Sequence, residues 1–131
     1  MAFTVERFDD EPIVVVTVRN PIGDIIGETI ASDNAVAEAT ADVTDRYFRI
    51  TDITDLHLSI SEIVAWLAEQ KQASPGSIND PRAISLTVGA EGTNREAADW
   101  ARQEQYGGKE ILLFETVDEA LAYAREQVLS A

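Results

Sequence analysis

Reactive residue types concentrate in one run, Asp52-Ile53-Thr54-Asp55-Leu56-His57-Leu58-Ser59-Ile60-Ser61-Glu62, which holds the only histidine of the chain. Two chemistries are open to it. His57 could serve as a base for a neighbouring serine nucleophile, or Asp52, Asp55, His57, Ser59, Ser61 and Glu62 could form a polar docking surface for a partner or ligand. The nucleophilic option lacks a nucleophile elbow, and Asp52 and Asp55 project differently from the end of a strand. No catalytic residue is therefore assigned, and a binding protein rather than an enzyme is expected. A simpler role for Asp52, Thr54 and Asp55 is to bond nearby backbone N–H groups and shape a turn. One histidine with scattered carboxylates and no cysteine lacks metal-ligand spacing, so neither a metal nor another cofactor is expected.

A second candidate is Val88-Gly89-Ala90-Glu91-Gly92-Thr93-Asn94, whose backbone amides could cradle an anion. It lacks the dinucleotide and Walker spacings, and Glu91 opposes phosphate, so turn geometry is the better reading. Trp66 and Trp100 flank the apolar faces of their helices. Each either closes the edge of a core or anchors a partner; Tyr106 is a lesser candidate of the same kind.

The elements that position these residues follow from hydropathy patterning. Phe3 to Phe8 alternates apolar and polar residues, as a strand with one wet face does. Ile13 to Arg19 is β-branched and nearly continuously apolar, which predicts a strand covered on both faces and paired with the first as a hairpin. Asp24 to Thr44 has helical spacing, with Ile26, Ile30, Ala37 and Ala41 along one stripe; Ser32-Asp33-Asn34 could divide it. Tyr47 to Ile53, Ala83 to Val88 and Glu110 to Phe114 read as further strands. Ser59-x-x-Glu62, Thr93-x-x-Glu96 and Thr116-x-x-Glu119 each fit a capping box. They predict helices from Ile60 to about Gln72, Asn94 to Tyr106 (stopped by Gly107), and Val117 to about Leu129. The first should bury Ile60, Ile63, Val64 and Leu67, with Leu58 stapled on Ile63. The second has only a thin, alanine-rich apolar face. The order β-β-α-β-α-β-α-β-α predicts one α/β domain over residues 1–131, with a single mixed, mainly parallel sheet, an N-terminal hairpin and four helices.

Length and composition agree with one hydrophobic core: 131 residues, 45% hydrophobic and 26% charged. The formal charge of −14 repels phosphate backbones and anionic membrane surfaces, and would attract a basic patch on a partner. Nucleic-acid binding is thus not expected. Neither is membrane insertion, since the longest apolar stretch, Ile13 to Val18, is far too short. MAFTVERFDDEP lacks the apolar core of a signal peptide, and a cytoplasmic location is the expectation.

This order of elements and two segments resemble the STAS family, the domain of bacterial anti-sigma factor antagonists and sulfate transporter tails. YFRITDITDLHLSISEIVAWL is similar to the family's strand ending in Asp-Leu-Ser followed by a loop and helix start. LLFETVDEALAYARE looks like its last strand and helix, with the Ala-Leu pair at Ala120-Leu121. Small bacterial STAS-like proteins of unassigned activity share this look. The resemblance implies a regulatory protein-interaction module, possible as a homodimer, and places Ser61 at the phosphorylatable position of the antagonists. Ser59 then replaces a capping Asp, and Glu62 replaces a Gly, where it would crowd a kinase loop and repel an added phosphate. The alternative, by analogy of architecture, is a carrier or sensor of a small apolar or lipid-like ligand, with space left by the alanine-rich helix.

Overall fold

The computed structural model describes residues 2–8, 10–103 and 110–130. Asp9, Tyr106 and the Gly107 stop lie outside them. In chain order the elements are β1 (Phe3–Arg7), β2 (Ile13–Val18), α1 (Ile25–Ala39), β3 (Tyr47–Asp52), α2 (Ile60–Gln70), β4 (Ala83–Val88), α3 (Thr93–Ala101), β5 (Ile111–Phe114) and α4 (Val117–Ser130). The five strands form one mixed sheet in the order β1-β2-β3-β4-β5. β1 runs antiparallel to β2, and every other pairing is parallel.

This order explains the layering. Right-handed crossovers that step in one direction across a sheet deliver every crossover helix to the same face. Accordingly α1, α2 and α3 share one face, and α4, which follows the last strand, covers the other. On the α4 side, Ile13, Val15, Phe48, Ile50, Leu86 and Val88 pack with Ala120 and Ala124 into one continuous cluster. Each large aliphatic side chain fully buried there stabilises the fold by about 1.5–3 kcal/mol.

The three-helix side is different. Its apolar contacts fall into two separate groups. Val14, Val16, Val36, Tyr47 and Ala83 form one beneath α1, and Ile63, Leu67, Ile78, Ala97, Ala101 and Ile111 form the other beneath α2 and α3. Between them β3 and β4 present Arg49, Thr51, Ser85 and Thr87, all buried. Side chains alternate along a strand, so these polar residues share one face while Phe48, Ile50, Leu86 and Val88 share the other.

Two helices depart from the sequence expectation. In α1 the inward stripe is Thr29, Ser32, Asp33 and Val36, whereas Ile26 and Ile30 are 44% and 43% exposed and Ala41 lies beyond the helix. The helix runs through Ser32-Asp33-Asn34 undivided, because Ser32 Oγ bonds the Thr29 carbonyl and Asp33 finds a buried partner. It stops at Ala39 rather than Thr44, with the Thr40 hydroxyl turned back on the Val36 carbonyl. In α2, Ile63 and Leu67 are buried as expected, but Ile60 and Val64 are exposed.

The caps behave according to frame. Ser59 and Glu62 form both halves of a capping box. Thr116 Oγ1 accepts from the Glu119 amide at 3.2 Å. The expected box at Thr93 is out of frame, because Gly92 takes the cap position and Thr93 is already the first helical residue.

Candidate functional site

The carboxyl ends of parallel strands are where open α/β sheets bind ligands. Here that end carries a partly open cavity of about 80 Å³ between the sheet and α1, α2 and α3. In this measure a water needs roughly 10–15 Å³, so there is room for several waters or a small organic molecule. Its apolar walls include Phe3 and Val18, opposite each other in the β1–β2 register, together with Ile22, Ile25 and Trp66. Ile53, Leu56 and Leu58 roof it from the β3–α2 loop. Asn94, Ala97 and Ala98 of α3 complete it, and the small side chains of that helix leave space against the sheet. Glu28, Thr29, Ser32, Asp33, Arg49, Thr51, Gln70 and Thr87 supply a polar side.

Arg49 organises that polar side. Its Nη2 lies 3.3 Å from Asp33 Oδ1, its Nε donates to the Gly76 carbonyl at 3.0 Å, and its Nη1 donates to Thr51 Oγ1. Gln70 Nε2 donates to the other Asp33 oxygen at 3.3 Å, and Gln70 Oε1 accepts from the Ile78 amide at 2.8 Å. Burial pushes the Asp33 carboxyl above the ordinary range; the nearby guanidinium and the Gln70 bond offset only part of that rise. Burial likewise lowers the Arg49 guanidinium, with Asp33 opposing. Gly76 permits this closeness. Its φ is +85°, and a Cβ there would sit 2.0 Å from the Asp33 carbonyl oxygen. Next to it, Asp80 accepts from the Tyr47 hydroxyl at 2.8 Å and from the Gly76 amide at 2.9 Å.

The reactive run of the sequence is the outer surface of the cavity's roof. Asp52 Oδ1 accepts from the Thr54 amide at 3.1 Å and the Thr54 hydroxyl at 2.6 Å, which is the turn-shaping role. Asp55 does not share it: its side chain is exposed and, among the described residues, bonds nothing, while its carbonyl accepts from the Asn20 amide. Asn20 also bonds both backbone groups of His57, and Asn94 Nδ2 donates to the Leu56 carbonyl at 2.6 Å. Two asparagines thus hold the roof from either side. The His57 imidazole itself is exposed and, among the described residues, makes no hydrogen bond, so no serine of these is set beside a base. Ser59 Oγ accepts from the Glu62 amide and lies 3.1 Å from Ser61 Oγ, while Glu62 Oε1 accepts from the Ser59 amide at 2.9 Å.

Of the candidate site residues singled out from sequence, Trp66 lines the cavity, as does Asn94 at the end of the glycine-containing loop. Asp52, Asp55, His57, Ser59, Ser61 and Glu62 lie outside it on the roof and helix start, and Trp100 packs half-buried on the α2–α3 cluster. The glycine-containing loop serves turn geometry: Gly89 has φ +78°, and a Cβ there would lie 2.7 Å from Thr54 Cα. Among the described residues no group of three or more His, Cys, Asp or Glu side chains could hold a metal ion, and no helix is long and apolar enough to cross a membrane.

Glu28, Asp33, Arg49, Thr51, Gln70 and Thr87 escaped the sequence reading. The signal that could have found them is parity. Arg49 and Thr51 on β3, and Ser85 and Thr87 on β4, occupy alternate positions of strands that helices cover on both faces. Polar residues at such positions are buried, and Glu28, Thr29, Ser32 and Asp33 repeat at the helical spacing that meets them. No protein-family model matches the chain, and no curated protein matches it.

Proposed function

We propose that this chain is a non-catalytic binding domain that takes a small, mainly apolar molecule into the cavity beneath the β3–α2 loop, as a carrier or sensor. The observation that carries this reading is the cavity itself: apolar walls, a polar cluster at one side, and a position at the carboxyl ends of the strands. A second support is energetic. A buried ion pair is weak as a stabilising device, since well-packed apolar residues do as well or better, so its presence beside a cavity favours a role in binding. Native mass spectrometry of gently purified protein tests the reading. A co-purified small molecule is expected with the wild type and should be lost with Ala98→Phe, which fills the space. A wild-type protein that never carries one, under conditions that retain weakly bound ligands, counts decisively against it.

The second reading is a STAS-like regulatory module that docks a protein partner or a second copy of itself. It is favoured by the outer face of α2, where Ile60 and Val64 are 62% and 48% exposed on either side of the exposed Ser61. The mechanism would be occlusion of a partner, with Ser61 as a phosphorylation point. The Glu62 carboxylate held at the helix cap opposes a phosphate placed there. Phosphate on Ser61 in protein from its native host would support the switch. Unmodified Ser61, together with unchanged partner capture by Ser61→Ala, would remove it.

A further inference from the structure

The charges around the cavity do not balance. Arg49 is matched by Asp33, whose two carboxylate oxygens accept from Arg49 and Gln70. Glu28 has no such match. It lines the same cavity from the first turn of α1, and its Oε2 is shielded from solvent without a hydrogen-bond partner among the described residues. A shielded carboxylate oxygen without a donor is costly, and a ligand that brings a donor recovers that cost. Two carboxylates against one guanidinium also oppose an anionic ligand, even though Arg49 has N–H groups beyond the three its protein partners use. Thr29, Ser32, Thr51, Gln70, Thr87 and Asn94 add neutral polar groups, and Ile22, Ile25, Ile53, Leu56, Leu58 and Trp66 supply apolar wall.

We infer that the cavity selects a small amphiphilic amine, with its protonated amino group donating to Glu28 and its hydrocarbon part against the roof and Trp66. This rests on the ligand-binding reading above and specifies its chemistry. Ammonium-to-carboxylate hydrogen bonds are about twice as strong as neutral ones, so charge as well as shape enters the selection.

Isothermal titration of the intact protein with hexylamine, 1-hexanol and hexanoate at pH 7 separates the terms. All three share an apolar tail and differ at the head. Hexylamine should bind the wild type roughly tenfold or more tightly than hexanol, the worth of one charged hydrogen bond. In Glu28→Gln, which keeps side-chain volume, the advantage of hexylamine over hexanol should vanish. Quenching or shift of tryptophan emission gives an independent readout, since Trp66 lines the cavity. Equal affinity for amine and alcohol overturns the inference and leaves the cavity reading standing. Preference for hexanoate also overturns it, by making Arg49 the anchor. Failure of all three probes to bind the wild type overturns the inference and the reading beneath it.

Discussion

Arg49 Nη2 and Asp33 Oδ1 meet 3.3 Å apart across the β3–α1 contact, with side chains only 4% and 6% exposed. Removing one member leaves the other buried without its counter-charge. Arg49→Met should therefore lower unfolding free energy by about 3–5 kcal/mol. Adding Asp33→Asn to it should recover part of that loss, because the uncompensated charge disappears. A double-mutant cycle by urea unfolding checks this; losses that simply add would show that the two residues do not act as a pair.

Gly76 and Gly92 offer a matched comparison. Both have positive φ, +85° and +55°, but an added Cβ at Gly76 meets the Asp33 carbonyl at 2.0 Å, whereas at Gly92 nothing lies within 4 Å. Gly92→Ala should cost about 1–2 kcal/mol, the backbone penalty alone. Gly76→Ala must also push α1 away from the loop, and should cost at least about 1 kcal/mol more. Thermal unfolding of the two variants side by side decides whether the close approach matters.

Ser59 and Ser61 should separate cleanly in stability. Ser59 Oγ accepts the Glu62 amide at the start of α2, so Ser59→Ala should cost about 1 kcal/mol. Ser61 is exposed, and its hydroxyl pairs with that of Ser59 at 3.1 Å, so Ser61→Ala should stay within about 0.5 kcal/mol of wild type. Chemical denaturation of both proteins is the measurement. A large loss at Ser61 would mean that it has a structural role in addition to any regulatory one.

Asp80 should make the fold sensitive to acid. Burial opposes its ionisation, but the Gly76 and Arg82 amides and the Tyr47 hydroxyl outweigh it, and its pKa lies below the ordinary 3.8. The unfolded chain then binds the proton more readily. The stabilisation is therefore complete above the unfolded value and is lost as pH falls through the lower, folded one. Asp33 acts in the opposite sense, since its folded pKa is raised. The specific expectation is that Asp80→Asn is less stable than wild type at pH 7, with the gap closing below about pH 3.8. A gap that persists unchanged to pH 2 would assign the loss to packing instead of charge.

The α/β class, the order of elements, the β1–β2 hairpin and the helix start at Ser59 were legible in the chain alone. They rest on local rules: alternation in β1, the β-branched run of β2, and a capping box whose members are three residues apart. The turn-shaping role of Asp52 was legible for the same reason, since its partner Thr54 is two residues away. The stripe expected on α1 was misread, because a periodicity rule assumes that apolar means inward. Ile26 and Ile30 face out, and Asp33 faces in, since the sheet beneath them presents Arg49. The periodicity of α1 alone does not say which of its two stripes faces the sheet. Tertiary structure alone decided the strand order, which set three helices on one face and one on the other. It also decided that Glu28, Arg49, Gln70 and Trp66, from three separate elements, would border one cavity. Contacts between residues far apart in sequence depend on how the crossovers stack, and local propensity cannot encode that.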